Sequence, residues 1–318
     1  MIYLVYLVLA VSVVLLAIRL SYYVDVLDRK TNLSGAFIGG VMLAAVTSLP
    51  ELFTALTAVL ALDRPQLVQG DIFGSNVFNL CVIAVLILFT HQSYQRSSLS
   101  KTHKSTIIYG LIMYGLAFLG MMKPIELSLG IMNVNLMSIL ILVVYGINVV
   151  FMKNDESAEN ENEDNCRLSV AQVVIRFILY SIALVIVSIL LTHVTDRVAE
   201  ALNLGATAAG AIFLGIATSL PELSASINLV RMRNYNASFG NIVGSNLFNF
   251  VILSFADLVY SKGSIFINDS QALSLLCFGA VSSLLAYFLI RFKKSRWLIL
   301  PSCILILASY VLSIVLSI

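Results

Sequence analysis

The chain has 318 residues, of which 59% are hydrophobic and 11% are charged, and its formal net charge is +2. Soluble globular domains carry about 25% charged residues, so this composition excludes a soluble protein, and so small a positive charge gives no reason to expect a nucleic-acid partner. The apolar residues lie in runs close to the ~20 residues that a membrane-spanning helix needs, which predicts an all-α, multi-pass protein of the cell membrane.

Ten apolar runs follow one another along the chain, separated by polar breaks such as Lys123 and Pro124. The predicted spans are 2–23, 34–62, 71–90, 105–122, 126–152, 168–192, 206–231, 240–260, 271–290 and 297–317. The Lys and Arg residues between the spans divide thirteen to four between alternate loops. Because cytoplasmic loops carry the excess of positive charge, this asymmetry predicts that both termini are extracellular.

The segment 153–167 (KNDESAENENEDNCR) is acidic, rich in asparagine and without an apolar face. Such a composition predicts a cytoplasmic linker between two halves, 1–152 and 168–318. A regulatory calcium-binding loop is the alternative interpretation, although the segment lacks the ligand order and the central glycine of an EF-hand.

Two linked motifs occur twice. VTSLPEL at 46–52 returns as ATSLPEL at 217–223, and GDIFGSNVFNL at 70–80 returns as GNIVGSNLFNF at 240–250. One apolar span precedes each pair, so the repeat unit is five spans, and five crossings bring the second copy into the membrane from the opposite side. The sequence therefore predicts two inverted five-helix repeats, with motif regions 35–80 and 205–250, which is a plan of secondary transporters.

Each copy is predicted to break a membrane helix, the second span in one half and the seventh in the other. Pro50 and Pro221 remove a backbone donor and free carbonyl groups of the preceding turn, and lipid does not tolerate such groups unless protein, water or an ion satisfies them. Glu51 and Glu222 follow directly, and a carboxylate at the centre of a membrane helix costs about 2.5–3.5 kcal/mol. Hydroxyl groups stand beside them at Thr47, Ser48, Thr218 and Ser219.

The second motif adds further oxygen atoms, because Ser75 and Asn79 share a helix face, as do Ser245 and Asn249. Glycines four residues apart in both copies allow the helices to approach closely. The two glutamates and the threonine carbonyls would supply about six oxygen ligands, which suits Ca²⁺ and Na⁺ but not metals that prefer thiolate or imidazole. No cofactor motif is present, so no cofactor is expected.

Three further residues of the motifs are expected to have roles other than binding the ion. Asp71 has no acid counterpart, since Asn241 stands at the equivalent position, and it is interpreted as an entrance or capping residue. Asn76 and Asn246 are expected to form hydrogen bonds between helices rather than to bind ions.

The paired motifs, TSLPE at 47–51 and 218–222 with GSNxxN at 74–79 and 244–249, resemble the α-repeats of the cation/calcium exchanger superfamily, in particular its prokaryotic sodium/calcium exchangers. The likeness covers the whole chain. It implies a secondary antiporter rather than an enzyme, acting as a single chain that exchanges Na⁺ for Ca²⁺ by alternating access at the bilayer midplane. Spans 1 and 6 would slide across the other eight.

By motif position, the resemblance implies a specific ligand set. Glu51 and Glu222 would bind both ions, helped by the carbonyls of Thr47 and Thr218. Flanking Na⁺ sites would be lined by the hydroxyls of Ser48, Ser219, Ser75 and Ser245 and completed by the carbonyls of Ala44 and Gly215.

This chain departs from the family at one position. Several family members carry an aspartate where this chain has Asn249, so transport is expected to depend less on pH at that position.

Two other functions are alternatives to sodium/calcium exchange. A proton-coupled calcium antiporter of the same superfamily is the nearest competing function. An intramembrane hydrolase is disfavoured, because the spans hold no Ser–His or Ser–Lys pair at the depth of the motifs.

Overall fold

The computed structural model describes residues 2–129, 132–153, 167–201 and 217–317. In chain order the elements are α1 (Ile2–Lys30), α2 (Gly35–Thr47), α3 (Leu49–Leu60), α4 (Pro65–Phe89), α5 (His91–Arg96), α6 (Thr102–Met122), β1 (Glu126–Leu129), β2 (Met132–Asn135), α7 (Leu136–Lys153), α8 (Val170–Ala201), α9 (Leu220–Arg231), α10 (Tyr235–Val259), α11 (Ser270–Arg291) and α12 (Arg296–Ser317).

Within these residues, eight helices are long and apolar enough to cross a membrane, and the bent pair α2–α3 would make a ninth. The prediction of a helical, multi-pass membrane protein is therefore confirmed. The predicted span 206–231 is described only in its second half, as α9, because its first half lies outside the described residues.

The second span bends by 41° between α2 and α3. Ser48 occupies the bend, and Pro50 stands in the first turn of α3, where its missing N–H costs nothing. Regular hydrogen bonding resumes only with Leu52 N and Ser48 O, at 3.2 Å. Ser219 has nearly the same backbone angles before α9, and Pro221 stands at the corresponding place. The two proline motifs therefore produce the same local geometry.

The predicted fifth span begins later than expected, since β1 and β2 pair as antiparallel strands, with Glu126 opposite Asn135. The helix starts at Leu136 because Asn135 Oδ1 accepts from Met137 N at 3.0 Å. The buried Asp257 of α10 holds this start in place, accepting from Asn135 N at 2.9 Å and from Ser138 Oγ at 2.7 Å.

Glycines bring α2 of the first half against α10 of the second. A Cβ atom at Gly244 would overlap the backbone of Gly40, and one at Gly240 would lie 2.8 Å from the Ala36 carbonyl oxygen. The predicted close approach of a broken helix and a Ser/Asn helix is thus confirmed for this pair. Cβ atoms at Gly70 and Gly74 would meet no described atom within 4 Å. The segment of the second repeat that is equivalent to most of α2, 202–216, lies outside the described residues.

The core consists of two hydrophobic clusters. The smaller, the α1–α8 cluster, joins α1 to α8 and includes parts of α2 and α9, with Leu20, Leu184 and Leu229 fully buried in it. The larger cluster, which we call the main cluster, joins the remaining long helices around residues such as Phe73 and Phe250. Helices α1 and α8 pack most extensively on each other, so they form a unit beside the helices that carry most of the polar motifs.

Candidate cation site

The two glutamates lie near each other at the starts of two helices. Glu51 and Glu222 lie in the first turns of α3 and α9, and each is only 1% exposed. A helix N-terminus favours a negative group through its backbone dipoles. Ser48 Oγ donates to Glu222 Oε1 at 3.1 Å, Thr218 lies beside Glu51, and the two carboxyl groups are close enough to interact electrostatically. Each half therefore supplies a hydroxyl to the acid of the other half.

Thr47 connects α2 to α10 across the site. Its hydroxyl lies 3.3 Å from Asn241 Oδ1 and 3.5 Å from Ser245 Oγ, and both Thr47 and Ser245 are fully buried. Ser245 also lies within reach of the Glu222 carboxyl group. The predicted serine of the second motif thus reaches the predicted glutamate of the same copy.

The predicted backbone ligands differ in how they are engaged. The Ala44 carbonyl accepts from Ser48 N at 3.0 Å and from Thr47 Oγ1 at 3.3 Å. The Thr47 carbonyl directly precedes the bend at Ser48, and after the bend Leu52 N donates to Ser48 O. Gly215 lies outside the described residues.

Four asparagines form a reciprocal network between α4 and α10. Asn79 Nδ2 donates to Asn246 Oδ1 at 3.0 Å, and Asn249 Nδ2 donates to Asn76 Oδ1 at 2.9 Å. Asn76 and Asn246 also donate to each other's backbone carbonyls, at 3.3 and 3.1 Å. Each bond joins residues about 170 positions apart and has a counterpart in which the two repeats exchange roles. Asn76 and Asn246 thus form hydrogen bonds between helices, as predicted.

Six oxygen atoms of the predicted ligand set are buried and have no hydrogen-bond partner among the described residues. They are Glu51 Oε2, Ser75 Oγ, Asn79 Oδ1, Ser219 Oγ, Glu222 Oε2 and Asn249 Oδ1. A buried acceptor without a donor costs about 1–3 kcal/mol, and more when it is charged. Two of the six atoms belong to the acids themselves, and a cation bound among these oxygens would satisfy them.

The sequence interpretation missed two residues at this site, Asn241 and Ser226. Asn241 Nδ2 donates to Ser226 Oγ at 2.9 Å and to the Glu222 carbonyl at 3.3 Å. The spacing held a usable signal, because Asn241 precedes Ser245 by four residues and so shares its helix face. Ser226 follows Glu222 by four residues in the same way.

Comparisons with known proteins identify relatives of this chain. A family model described as sodium/calcium exchanger protein matches residues 1–153 and 172–318. The inner membrane protein YrbG of Escherichia coli is 28% identical over 268 residues, which cover 80% of this chain and 78% of YrbG. The putative antiporter CaxA of Alkalimonas amylolytica is 25% identical over 291 residues, which cover 91% of this chain and 90% of CaxA.

The fold is similar to that of the sodium-calcium exchanger NCX_Mj. A structure of that protein from crystals soaked with Na⁺ and Sr²⁺ gives a TM-score of 0.74 at 22% identity and covers 99% of both chains. The likeness in architecture therefore extends over nearly the entire chain.

Proposed function

The chain belongs to the sodium/calcium exchanger family, whose fold is that of a transporter rather than of a catalytic enzyme, and from this premise we propose that it exchanges Na⁺ for Ca²⁺ at the site of Glu51 and Glu222. One observation carries the proposal, namely the six buried oxygen atoms of the two glutamates and the neighbouring motif residues that lack hydrogen-bond partners among the described residues. Oxygen is the ligand that both ions prefer, and Ca²⁺ takes six to eight such ligands in tolerant geometry.

The charge of the site suits alternate occupancy by the two ions. Two carboxylates balance one Ca²⁺ or two Na⁺, so either load leaves the buried site close to neutral, and this limits the cost of holding charge in the membrane. We infer that Glu51 and Glu222 contact both ions and that the carbonyls of Thr47 and Thr218 assist them. The other proposed ligands are Ser48, Ser219, Ser75, Ser245, Asn79, Asn249, Ala44 and Gly215.

The reciprocal asparagine network supports the division into inverted repeats 1–152 and 168–318. Because equivalent residues of the two motifs bond to each other, α4 and α10 meet at an approximate two-fold axis. The proposed midplane position of the site follows, since such an axis lies in the membrane plane when the repeats are inverted. Thr47 of the first repeat also contacts the second repeat, through Asn241 of α10.

Alternating access is proposed to involve movement of α1 with α8 against the other helices. These two helices share the α1–α8 cluster, while the main cluster holds α4 together with α10. Among the described residues, hydrogen bonds join the C-terminal half of α1 to α9 and to the start of α10, where Asn228 donates to Ser21 and Asn234 donates to Asp25. A mostly apolar interface of this kind opposes sliding less than a continuous polar one.

The proposed orientation places both termini outside the cell and the segment 153–167 in the cytoplasm. It rests on the distribution of Lys and Arg between alternate loops. Cysteine-accessibility labelling from each side of the membrane, at positions introduced near both termini, tests it. Labelling of both termini from the cytoplasmic side would contradict it.

Ion-gradient experiments in proteoliposomes test the proposed exchange. Vesicles loaded with Na⁺ and diluted into Na⁺-free medium should accumulate Ca²⁺, and this uptake should stop when a sodium ionophore dissipates the gradient. A proton gradient imposed without Na⁺ should not drive uptake. If the proton gradient alone drives uptake, the protein is instead the proton-coupled antiporter of the same superfamily.

A further inference from the structure

Asp71 of α4 is an acid beside the site that the proposed ligand set does not include. The residue is half-buried, and its Oδ2 atom is fully buried without a hydrogen-bond partner among the described residues. Its carboxyl group lies close enough to Glu51 for the two to interact electrostatically. A like charge so near an already crowded pair of acids requires a physical explanation.

Asp71 belongs to a polar stripe along one face of α4, followed by Ser75 and Asn79 at intervals of four residues. Each of the three carries a buried oxygen without a partner. Burial increases along the stripe, from the half-buried Asp71 to Ser75 and Asn79, which are each 1% exposed. Ser75 is thus an unpaired, deeply buried hydroxyl one turn from Asp71, and the stripe leads from an accessible position to the buried site.

The second repeat provides an internal comparison, because Asn241 occupies the equivalent position. Asn241 is fully buried, and the protein itself satisfies its amide through Ser226 Oγ, the Glu222 carbonyl and Thr47 Oγ1. The first repeat has Ala55 where the second has Ser226. It therefore combines an acid in place of the amide with the loss of the neighbouring hydroxyl.

A buried carboxylate oxygen is tolerable when a cation or several donors satisfy it. The ion pairs of Arg29 with Asp25 and of Lys262 with Asp63 do not involve Asp71, and its Oδ2 has no donor among the described residues. We propose that Asp71 is a third carboxylate ligand, which receives the transported cation on the side where α4 begins and passes it to Glu51. This inference rests on the proposed function, since it extends the same site.

The experiment measures Na⁺-driven Ca²⁺ transport in oriented proteoliposomes, with Ca²⁺ supplied at either face. Asp71→Asn should raise the KM for Ca²⁺ about tenfold at the face where α4 begins, a loss of about 1.4 kcal/mol. The maximal rate should be nearly retained, and the KM at the other face should change much less. Asp71→Glu, which keeps the charge, should stay close to wild type, as should Asp63→Asn, which removes an exposed acid before α4.

Ala55→Ser provides a test that keeps Asp71 in place and remains usable if Asp71→Asn does not fold. The new hydroxyl restores the group that Ser226 supplies in the other repeat, and by competing for the carboxylate it should raise the KM at the same face. A wild-type KM in both Asp71→Asn and Ala55→Ser overturns the proposal, and so does an equal loss in Asp71→Asn and Asp71→Glu. Failure of the proposed function is distinguishable, because wild-type protein would then show no Na⁺-driven uptake.

Discussion

Replacing either glutamate by glutamine isolates the role of its charge. Glutamine keeps the length of the side chain and one carbonyl oxygen, so Ser48 Oγ can still donate to residue 222 as it donates to Glu222 Oε1 at 3.1 Å. The backbone at the helix break is also unaffected, because Pro221 and Ser219 remain. The substitution removes one negative charge from a residue that is 1% exposed.

The loss of affinity follows from the charge of each ion. Two unit charges 4 Å apart interact by about 4 kcal/mol at an effective dielectric constant of ~20, so Ca²⁺ gains about 8 kcal/mol from one carboxylate. The amide oxygen and the lower cost of burying a neutral group recover roughly half of this. The net loss is about 4 kcal/mol for Ca²⁺, close to a 1,000-fold weaker Kd, and about 2 kcal/mol for Na⁺, close to 30-fold.

Ca²⁺ binding to purified protein and Ca²⁺ uptake into proteoliposomes measure this effect. Glu51→Gln and Glu222→Gln should both lose Ca²⁺ binding in the working range, and both should lose more affinity for Ca²⁺ than for Na⁺. Glu126→Gln is the matched control, because it makes the same chemical change at an exposed position of β1, and it should behave as wild type.

Two results would refute the reasoning. Normal Ca²⁺ affinity in either variant would mean that the carboxyl group does not contact the ion. An inactive Glu222→Gln beside a fully active Glu51→Gln would show that the two repeats do not share one site, despite the cross-repeat bond from Ser48.

Four further substitutions should have outcomes that the structure predicts. Gly244→Ala places a Cβ atom against the backbone of α2 and should destabilise the protein by about 1–3 kcal/mol. At Gly115 of α6 a Cβ atom would meet no described atom within 4 Å, so Gly115→Ala should stabilise the protein by about 0.5–1 kcal/mol. Apparent melting temperatures in detergent measure both effects. Asn249→Asp puts an acid where an amide now donates a hydrogen bond, so it should make the pH profile of Ca²⁺ uptake steeper, and an unchanged profile would contradict this. Lys262 holds the pKa of the exposed Asp63 below its ordinary value. The stabilisation that this ion pair gives the folded state is therefore present at neutral pH and is lost as the pH falls through that lowered pKa. Because both side chains are exposed and such pairs stabilise proteins little, Lys262→Ala should not shift the melting temperature at pH 7 measurably.

The sequence alone correctly predicted a helical membrane protein, whereas the inverted repeat and the ligand set stay predictions. Long apolar runs leave a helix as the workable conformation in lipid, because every backbone group must be satisfied within the segment. A proline followed by glutamate specifies the break and the acid together, and the two copies of this pair identified Glu51 and Glu222. These are local properties, and they do not depend on which helices become neighbours.

The tertiary structure decided which groups meet. Helical spacing shows that Asn76 and Asn79 occupy one turn, but not that they bond to Asn246 and reach across to the other repeat. The start of α7 was likewise wrong in the sequence interpretation, because a capping carboxylate from Asp257, more than 100 residues away, fixes it. Local periodicity determines the helix face on which a side chain lies, but its partner depends on how two helices pack. That packing depends on contacts between residues far apart in the sequence, such as the contact of Gly244 with Gly40.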